Sequence, residues 1–188
     1  MRTHLEHRTA SRAFVLSALL AVTFILSSAQ AQAPSPDALR GLDAYQAMDL
    51  ANAWKGQPVT SFATPQAVHF EFPDGATVEV PLPEDEMLVS VAPFLVHTHP
   101  CATHFMSGCQ GELVDEPFHV RAELGDGTVV IDQEMRTMVN GFIDLWLPRG
   151  HSVELTFETG DYRTVGVVGT HDDSWTCITT LQLARVER

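Results

Sequence analysis

The sequence predicts an α+β fold that is mainly β: a small N-terminal region of one helix and short strands, followed by an antiparallel β-sandwich-like domain. Three observations carry this. Apolar residues recur at helical spacing once, from Leu39 to Leu50. Beyond Pro58, short runs of β-branched and aromatic residues alternate with Gly, Pro, Asp and Asn. Val153, Leu155 and Phe157 alternate with Ser152, Glu154, Thr156 and Glu158, the period-two signature of a half-buried strand. The expected organisation is an export segment over 1–33, a helix-and-strand region over 34–90 and a β domain over 91–188.

The first segment carries Arg2, Arg8 and Arg12, then an apolar stretch of 14 residues from Ala13 to Leu26, then Ala29-Gln30-Ala31-Gln32-Ala33. A positive start, a short apolar middle and A-x-A sites form the layout of a secretory signal peptide. The apolar stretch falls short of the roughly 20 residues a membrane-spanning helix needs. The first cysteine, Cys101, is far from the cleavage site, which argues against lipid attachment.

Ser35-Pro36-Asp37 reads as a helix start, with Ser35 as N-cap and Pro36 at the first helical position. Leu39, Leu42, Tyr45, Met48 and Leu50 give the apolar stripe, which continues to about Trp54 before Gly56 and Pro58 end it. Strands are expected at Val68–Phe72, Ala76–Val80 and Met87–Ala92, the first two joined by the turn Pro73-Asp74-Gly75. Further strands are expected at Phe118–Leu124, Val129–Met135, Phe142–Leu147, Tyr162–Val168 and Thr176–Leu183. Asn140-Gly141 reads as a hairpin turn before Phe142.

The chain has 188 residues and a formal charge of -13. Removal of residues 1–33 leaves 8 basic and 23 acidic side chains, so the exported part is the more acidic. No basic stripe exists to displace phosphate counterions, which argues against nucleic acid and against an anionic membrane surface. Hydrophobic residues make up 45% of the chain, enough for a packed core. H-E-x-x-H, P-loop, G-x-S-x-G and C-x-x-C patterns are all absent, so the common hydrolase, nucleotide and thioredoxin templates do not apply.

The chemistry is concentrated elsewhere. Residues 34–188 hold 15 Cys, His and Met side chains, and six of them fall in the 13 residues from His97 to Cys109. Thiolate and thioether suit Cu(I), imidazole suits copper or zinc, and magnesium or calcium would want oxygen. In an extended segment His97, His99 and Cys101 point to one side, and Pro100 favours an extended His99. A turn after Cys101 brings His104 back, and Gly108 lets Cys109 close the set. Cys177 is the natural third thiolate, with His171 six residues before it and Asp172 and Asp173 as partners for an imidazole. Zinc remains open, because Cys₃His is also a zinc set.

The other histidines, His69, His119 and His151, read as structural, as do Trp54, Trp146 and Trp175. Met106 reads equally as a soft ligand or a loop hydrophobe. Met135 and Met138 read as packing residues, with a methionine patch as the alternative. Two rival functions stand beside metal binding: an exported thiol–disulfide redox protein, and a structural β-domain closed by a Cys101–Cys109 disulfide with a spare cysteine.

Three motifs in order resemble the CueP family of periplasmic copper-binding proteins. They are Val91-Ala92-Pro93-Phe94 with Thr98-His99-Pro100-Cys101-Ala102-Thr103-His104 and Cys109-Gln110-Gly111-Glu112-Leu113; Asn140 to Arg149; and Asp172 to Leu181. The resemblance implies copper handling in the periplasm: sequestration, resistance and delivery to copper enzymes. It implies that Cys101, Cys109 and Cys177 are the family thiols, with His104 beside them. It associates the family with cupric reduction, and its N-terminal region with a homodimer. Ala102 and Thr103 stand where the family pattern has bulkier residues, and His97 matches no position of the pattern. Two thiols can surrender two electrons on forming a disulfide, which would reduce two Cu(II), while the third thiolate and a histidine hold Cu(I). In an oxidising periplasm such thiols need a partner reductase or the protection of bound copper.

Overall fold

Residues 33–187 are described by the computed structural model. The proposed export segment lies outside them except for Ala33. The elements are one helix, α1 (Ala44–Ala53), a short 3-10 turn (Pro36–Leu39), and β1 (Thr60–Ala63), β2 (Ala67–Glu71), β3 (Thr77–Pro81), β4 (Glu86–Val91), β5 (Pro117–Leu124), β6 (Val129–Arg136), β7 (Ile143–Pro148), β8 (Ser152–Thr159), β9 (Tyr162–Gly169), β10 (Cys177–Ile178) and β11 (Ala184–Arg185). The protein is mainly β, as the sequence predicts.

The expected continuous helix from Ser35 is divided. Gly41 takes φ +75, a left-handed conformation that ends the 3-10 turn. The helix proper starts at Asp43, whose carboxylate accepts from the Gln46 N–H while the Gln46 amide accepts from the Asp43 N–H. This reciprocal capping box outcompetes Ser35, whose side chain makes no cap hydrogen bond.

Three sheets follow. β1-β2-β3 is an antiparallel meander, β10-β4-β7 a small mixed sheet, and β11-β9-β8-β5-β6 an antiparallel sheet of five. Side chains alternate across a strand, and β4 and β7 use both faces. Met87, Val89, Val91, Ile143, Leu145 and Leu147 join the inner faces of β5, β8 and β9 in one core. Leu88 and the half-buried Trp146 join α1 and the meander in a second core around Trp54, Phe70 and Phe72. Burial on both faces explains why β4 reads as an almost unbroken apolar run instead of an alternation. Each fully buried Leu or Phe contributes about 1.5–3 kcal/mol of transfer free energy. The expected boundary between residues 90 and 91 lies at the end of this shared strand.

Three local expectations are corrected. β1 was not singled out in the sequence; its four residues are too few to show a period. Thr176–Leu183 is not one strand: Cys177 and Ile178 pair in parallel with Ser90 and Val91, and Ala184 and Arg185 pair antiparallel with β9. Between them the chain crosses from one sheet to the other, placing Leu181 and Leu183 in the sandwich core. Asn140-Gly141 makes a turn, with Gly141 N–H donating to the Met138 carbonyl, but not a hairpin. β6 and β7 belong to different sheets, and the turn instead docks on Gly111, whose N–H donates to the Asn140 carbonyl at 2.7 Å.

Among the described residues no helix is long and apolar enough to cross a membrane.

Candidate metal centre

The site lies where the long β4–β5 connection meets β10. Its placement starts with backbone hydrogen bonds. Ser90 N–H donates to the Thr176 carbonyl and Ala92 N–H to the Ile178 carbonyl, fixing Cys177 against the end of β4. The Ala102 carbonyl accepts from both Thr176 and Cys177 N–H groups, at 3.0 and 3.2 Å. That clip draws the Cys101 loop onto Cys177 through the main chain, so the small exposed side chain of Ala102 does not weaken it. Thr179 adds a hydroxyl donation to the His99 carbonyl at 2.6 Å.

Thr176 sets His104. Its buried hydroxyl donates to the Ala63 carbonyl at 2.7 Å and accepts from the His104 N–H at 3.0 Å, while Ala63 N–H donates to the His104 carbonyl at 2.8 Å. His104 thus bridges to β1, and its side chain is driven fully inside, with 0% exposure. After it the chain turns at Phe105–Gly108, and Cys109 N–H donates to the Phe105 carbonyl at 2.7 Å. From the turn that follows α1, the Lys55 ammonium donates to the Cys109 carbonyl at 2.7 Å. These anchors come from residues distant in sequence.

Two groups of three soft donors result among the described residues. His99, Cys101 and Cys109 form one, and His104, Cys109 and Cys177 form the other; within each group the ligand atoms lie within 4.8 Å of one another. Cys109 belongs to both. All three cysteines are free thiols, and the Sγ atoms of Cys101 and Cys109 are 3.4 Å apart. The second group is buried throughout; in the first, His99 and Cys101 are partly open to solvent. Phe142 packs beside both: its ring centroid is 4.4 Å from that of His104 and 6.5 Å from that of His99.

The electrostatics follow from this crowding. Hydrogen bonding by Cys177 pulls the Cys109 thiol well below the ordinary range; burial opposes, and His104, the Phe105 N–H and His99 assist. Cys177 is pushed far above the range, first by that same bond and then by burial. Burial first, then contact with Cys109, pushes Cys101 up to about 11, against a lowering contribution from Cys177. The shifts favour the thiolate on Cys109, with Cys101 and Cys177 held as thiols beside it.

Neither ring nitrogen of His104 makes a hydrogen bond of good geometry, although both are buried, so the imidazole acts on Cys109 through proximity alone. Buried polar atoms are nearly always paired, and leaving one unmet costs about 1–3 kcal/mol. A buried imidazole whose nitrogens lie beside two thiols has the donor chemistry that a soft cation takes. Sulfur and imidazole donors with no carboxylate among them suit copper or zinc, not magnesium or calcium.

The remaining sequence candidates fall elsewhere. His97 is exposed and joins neither group. The Glu112 carboxylate accepts from the N–H groups of Leu95 and Val96, which bends the chain just before His97 and breaks the expected one-sided row. Met106 is buried in the α1 core, because Ser107 is bound to Ser61 and turns it away from the thiols. His171 is exposed, and Asp172 pairs with Arg149 instead of an imidazole. His69 pairs with Glu79 and stacks on Phe62, and His119 pairs with Asp132. Met135 packs against the sandwich core and Met138 against the thiol cluster, so no methionine patch forms. Trp54 packs fully, whereas Trp175 is 55% exposed and lines a groove with Phe94, Pro100, Cys101 and Ala102. Sequence reasoning missed Thr176, Phe142 and Lys55 as site residues. All three act across long sequence separations and carry no ligand chemistry of their own.

The family model described as Periplasmic copper-binding protein CueP matches residues 44–182. No curated protein is matched by the chain. The chain is similar to the crystal structure of S.CueP, with 32% identity over 79% of this chain and 92% of that one, at a TM-score of 0.72.

Proposed function

The chain belongs to the CueP family of periplasmic copper-binding proteins, and from that premise we propose that Cys101, Cys109, Cys177 and His104, with His99 at the margin, hold copper as Cu(I). The observation that carries this reading is the pair of three-donor groups sharing Cys109, one of them ending in a buried imidazole with no other partner. Thiolate and imidazole donors in sets of three suit Cu(I). Each group is completed within one chain, so a homodimer is not needed to build either. Residues 1–33 act as the signal peptide that delivers the chain to the compartment of its family.

The same thiols support reduction of Cu(II). Cys101 and Cys109, 3.4 Å apart, each lose one electron and one proton as the S–S bond forms. The two electrons convert two Cu(II) to two Cu(I), and the protons pass to solvent. Cys177 and His104 then hold one of the two Cu(I), which withdraws it from oxidative chemistry and keeps it for a copper enzyme, while the second Cu(I) leaves to an external acceptor; reduction of the disulfide restores Cys109 and both donor groups. Return to the dithiol needs a periplasmic thiol reductase, so without one the reduction is stoichiometric.

Anaerobic titration of the reduced protein with Cu(II), thiols counted before and after, tests this. Two thiols lost per two Cu(II), mapped to a Cys101–Cys109 bridge, with Cu(I) retained, supports it. No thiol loss sinks the reduction. Cys177→Ser separates copper binding from a plain thiol–disulfide protein: Cu(I) affinity falls while the Cys101–Cys109 couple stays intact.

A further inference from the structure

The two donor groups differ in one respect that their chemistry does not explain: access. His104 and Cys177 are fully buried, each 0% exposed. His99 and Cys101 are partly exposed and open onto the groove that holds Trp175. Cys109 is the one ligand common to both groups. Of the five donors, His99 and Cys101 line that groove, while Cys109, His104 and Cys177 lie buried behind it.

We infer that copper occupies two positions that share Cys109: an outer one (His99, Cys101, Cys109) through which the ion is taken up and released, and an inner one (His104, Cys109, Cys177) where it is retained. The inference rests on the copper-binding reading above and adds a division of labour to it. Cu(I) moves by ligand exchange. It keeps its bond to Cys109 while bonds to His99 and Cys101 break and bonds to His104 and Cys177 form. No electron is transferred, and the ion never leaves a sulfur. The thiol protons of the acquired ligands go to those released or to solvent. Phe142, with its ring centroid 4.4 Å from that of His104 and 6.5 Å from that of His99, sets an apolar ring beside both positions. The neighbouring Phe105 N–H, 3.4 Å from the Cys109 sulfur, supports that thiolate throughout.

A residue that serves only passage accelerates uptake and release equally and leaves affinity unchanged, whereas a retaining ligand acts on release. The test uses the full mature chain, reduced and anaerobic, with Cu(I) supplied from a coloured chelator complex. Stopped-flow gives the rates of uptake and release, and equilibrium competition gives the affinity. His99→Ala is expected to slow uptake and release of the first Cu(I) about tenfold or more with the affinity for that inner ion held within about threefold, and to weaken binding of a second equivalent at the outer position. His104→Gln is expected to weaken affinity about tenfold or more, all of it in faster release.

A third measurement uses the wild-type protein alone, should His104→Gln fail to fold. Loaded with two equivalents of Cu(I) and challenged with excess chelator, it should release copper in two phases, and His99→Ala should alter the faster one. A single release phase, or a His99→Ala variant that loses affinity as much as His104→Gln at unchanged uptake, overturns the two-position inference and leaves a single centre. Should the wild type take up no Cu(I), or a variant with all three cysteines changed to Ser keep its affinity, the copper-binding reading itself falls, and the inference with it.

Discussion

The hydroxyl of Thr176 accepts the backbone N–H of His104 at 3.0 Å, one residue before Cys177. It donates in turn to the Ala63 carbonyl. One side chain therefore ties two parts of the candidate centre to each other and to β1, although 72 residues separate Thr176 from His104.

Replacing Thr176 with Val keeps its shape and removes the hydroxyl. The His104 N–H and the Ala63 carbonyl lose partners in a site with 1% exposure at Thr176. Thr176→Val should destabilise the metal-free protein by about 1–3 kcal/mol in urea unfolding and weaken Cu(I) binding. Thr176→Ser should restore most of both. A Val variant equal to wild type in both measurements contradicts the anchoring role.

The docking of the Asn140-Gly141 turn on Gly111 leaves no space for a side chain. A Cβ on Gly111 would lie 2.5 Å from the Gly141 carbonyl oxygen, and one on Gly141 would lie 2.7 Å from that of Gly111, at a φ of +76. Backbone cannot give way as a flexible side chain can. Gly111→Ala and Gly141→Ala should each cost about 1–3 kcal/mol or more in unfolding free energy. Gly108→Ala, at an open position, should be mild by comparison. Equal effects at all three glycines would contradict the close-approach argument.

Glu112 makes the His97 loop acid-sensitive. Burial alone would raise its carboxyl, but the N–H groups of Val96, Leu95 and His97, aided by the His97 charge, hold it below the usual range. A carboxylate lowered in the folded state stabilises fully above its unfolded pKa and loses that contribution as pH falls through the folded value. Stability should therefore decline below about pH 4.5 with a share due to Glu112. Glu112→Gln should be less stable than wild type at neutral pH, and the gap should close in acid. Thermal unfolding across that range checks this; a gap independent of pH would contradict it.

Much of the fold was legible because it is local. The alternation in β5 and β8, the Pro73-Asp74-Gly75 turn and the density of soft ligands between His97 and Cys109 each show within a few residues. Long-range hydrogen bonds decided the rest. Met106 read equally as a soft ligand and a loop hydrophobe, and its burial in the α1 core beside the Ser107–Ser61 hydrogen bonds decides for the second, while Asn140-Gly141 read as a hairpin but docks on Gly111. The helix start moved from Ser35 to Asp43 because a two-way capping box satisfies more backbone than a lone serine. His99, Cys101, His104, Cys109 and Cys177 were all named from residue type, spacing and family resemblance. Their division into two groups about Cys109 was not, since it depends on which ligand atoms the long-range fold brings within 4.8 Å of one another.

The most direct measurement is X-ray absorption spectroscopy of the anaerobic protein carrying one equivalent of Cu(I), wild type beside His104→Gln. A wild-type spectrum with sulfur and one imidazole bound to the copper, and loss of that imidazole signal in His104→Gln, is the expected result. A copper centre without sulfur, or an imidazole signal unchanged by the substitution, would contradict the account.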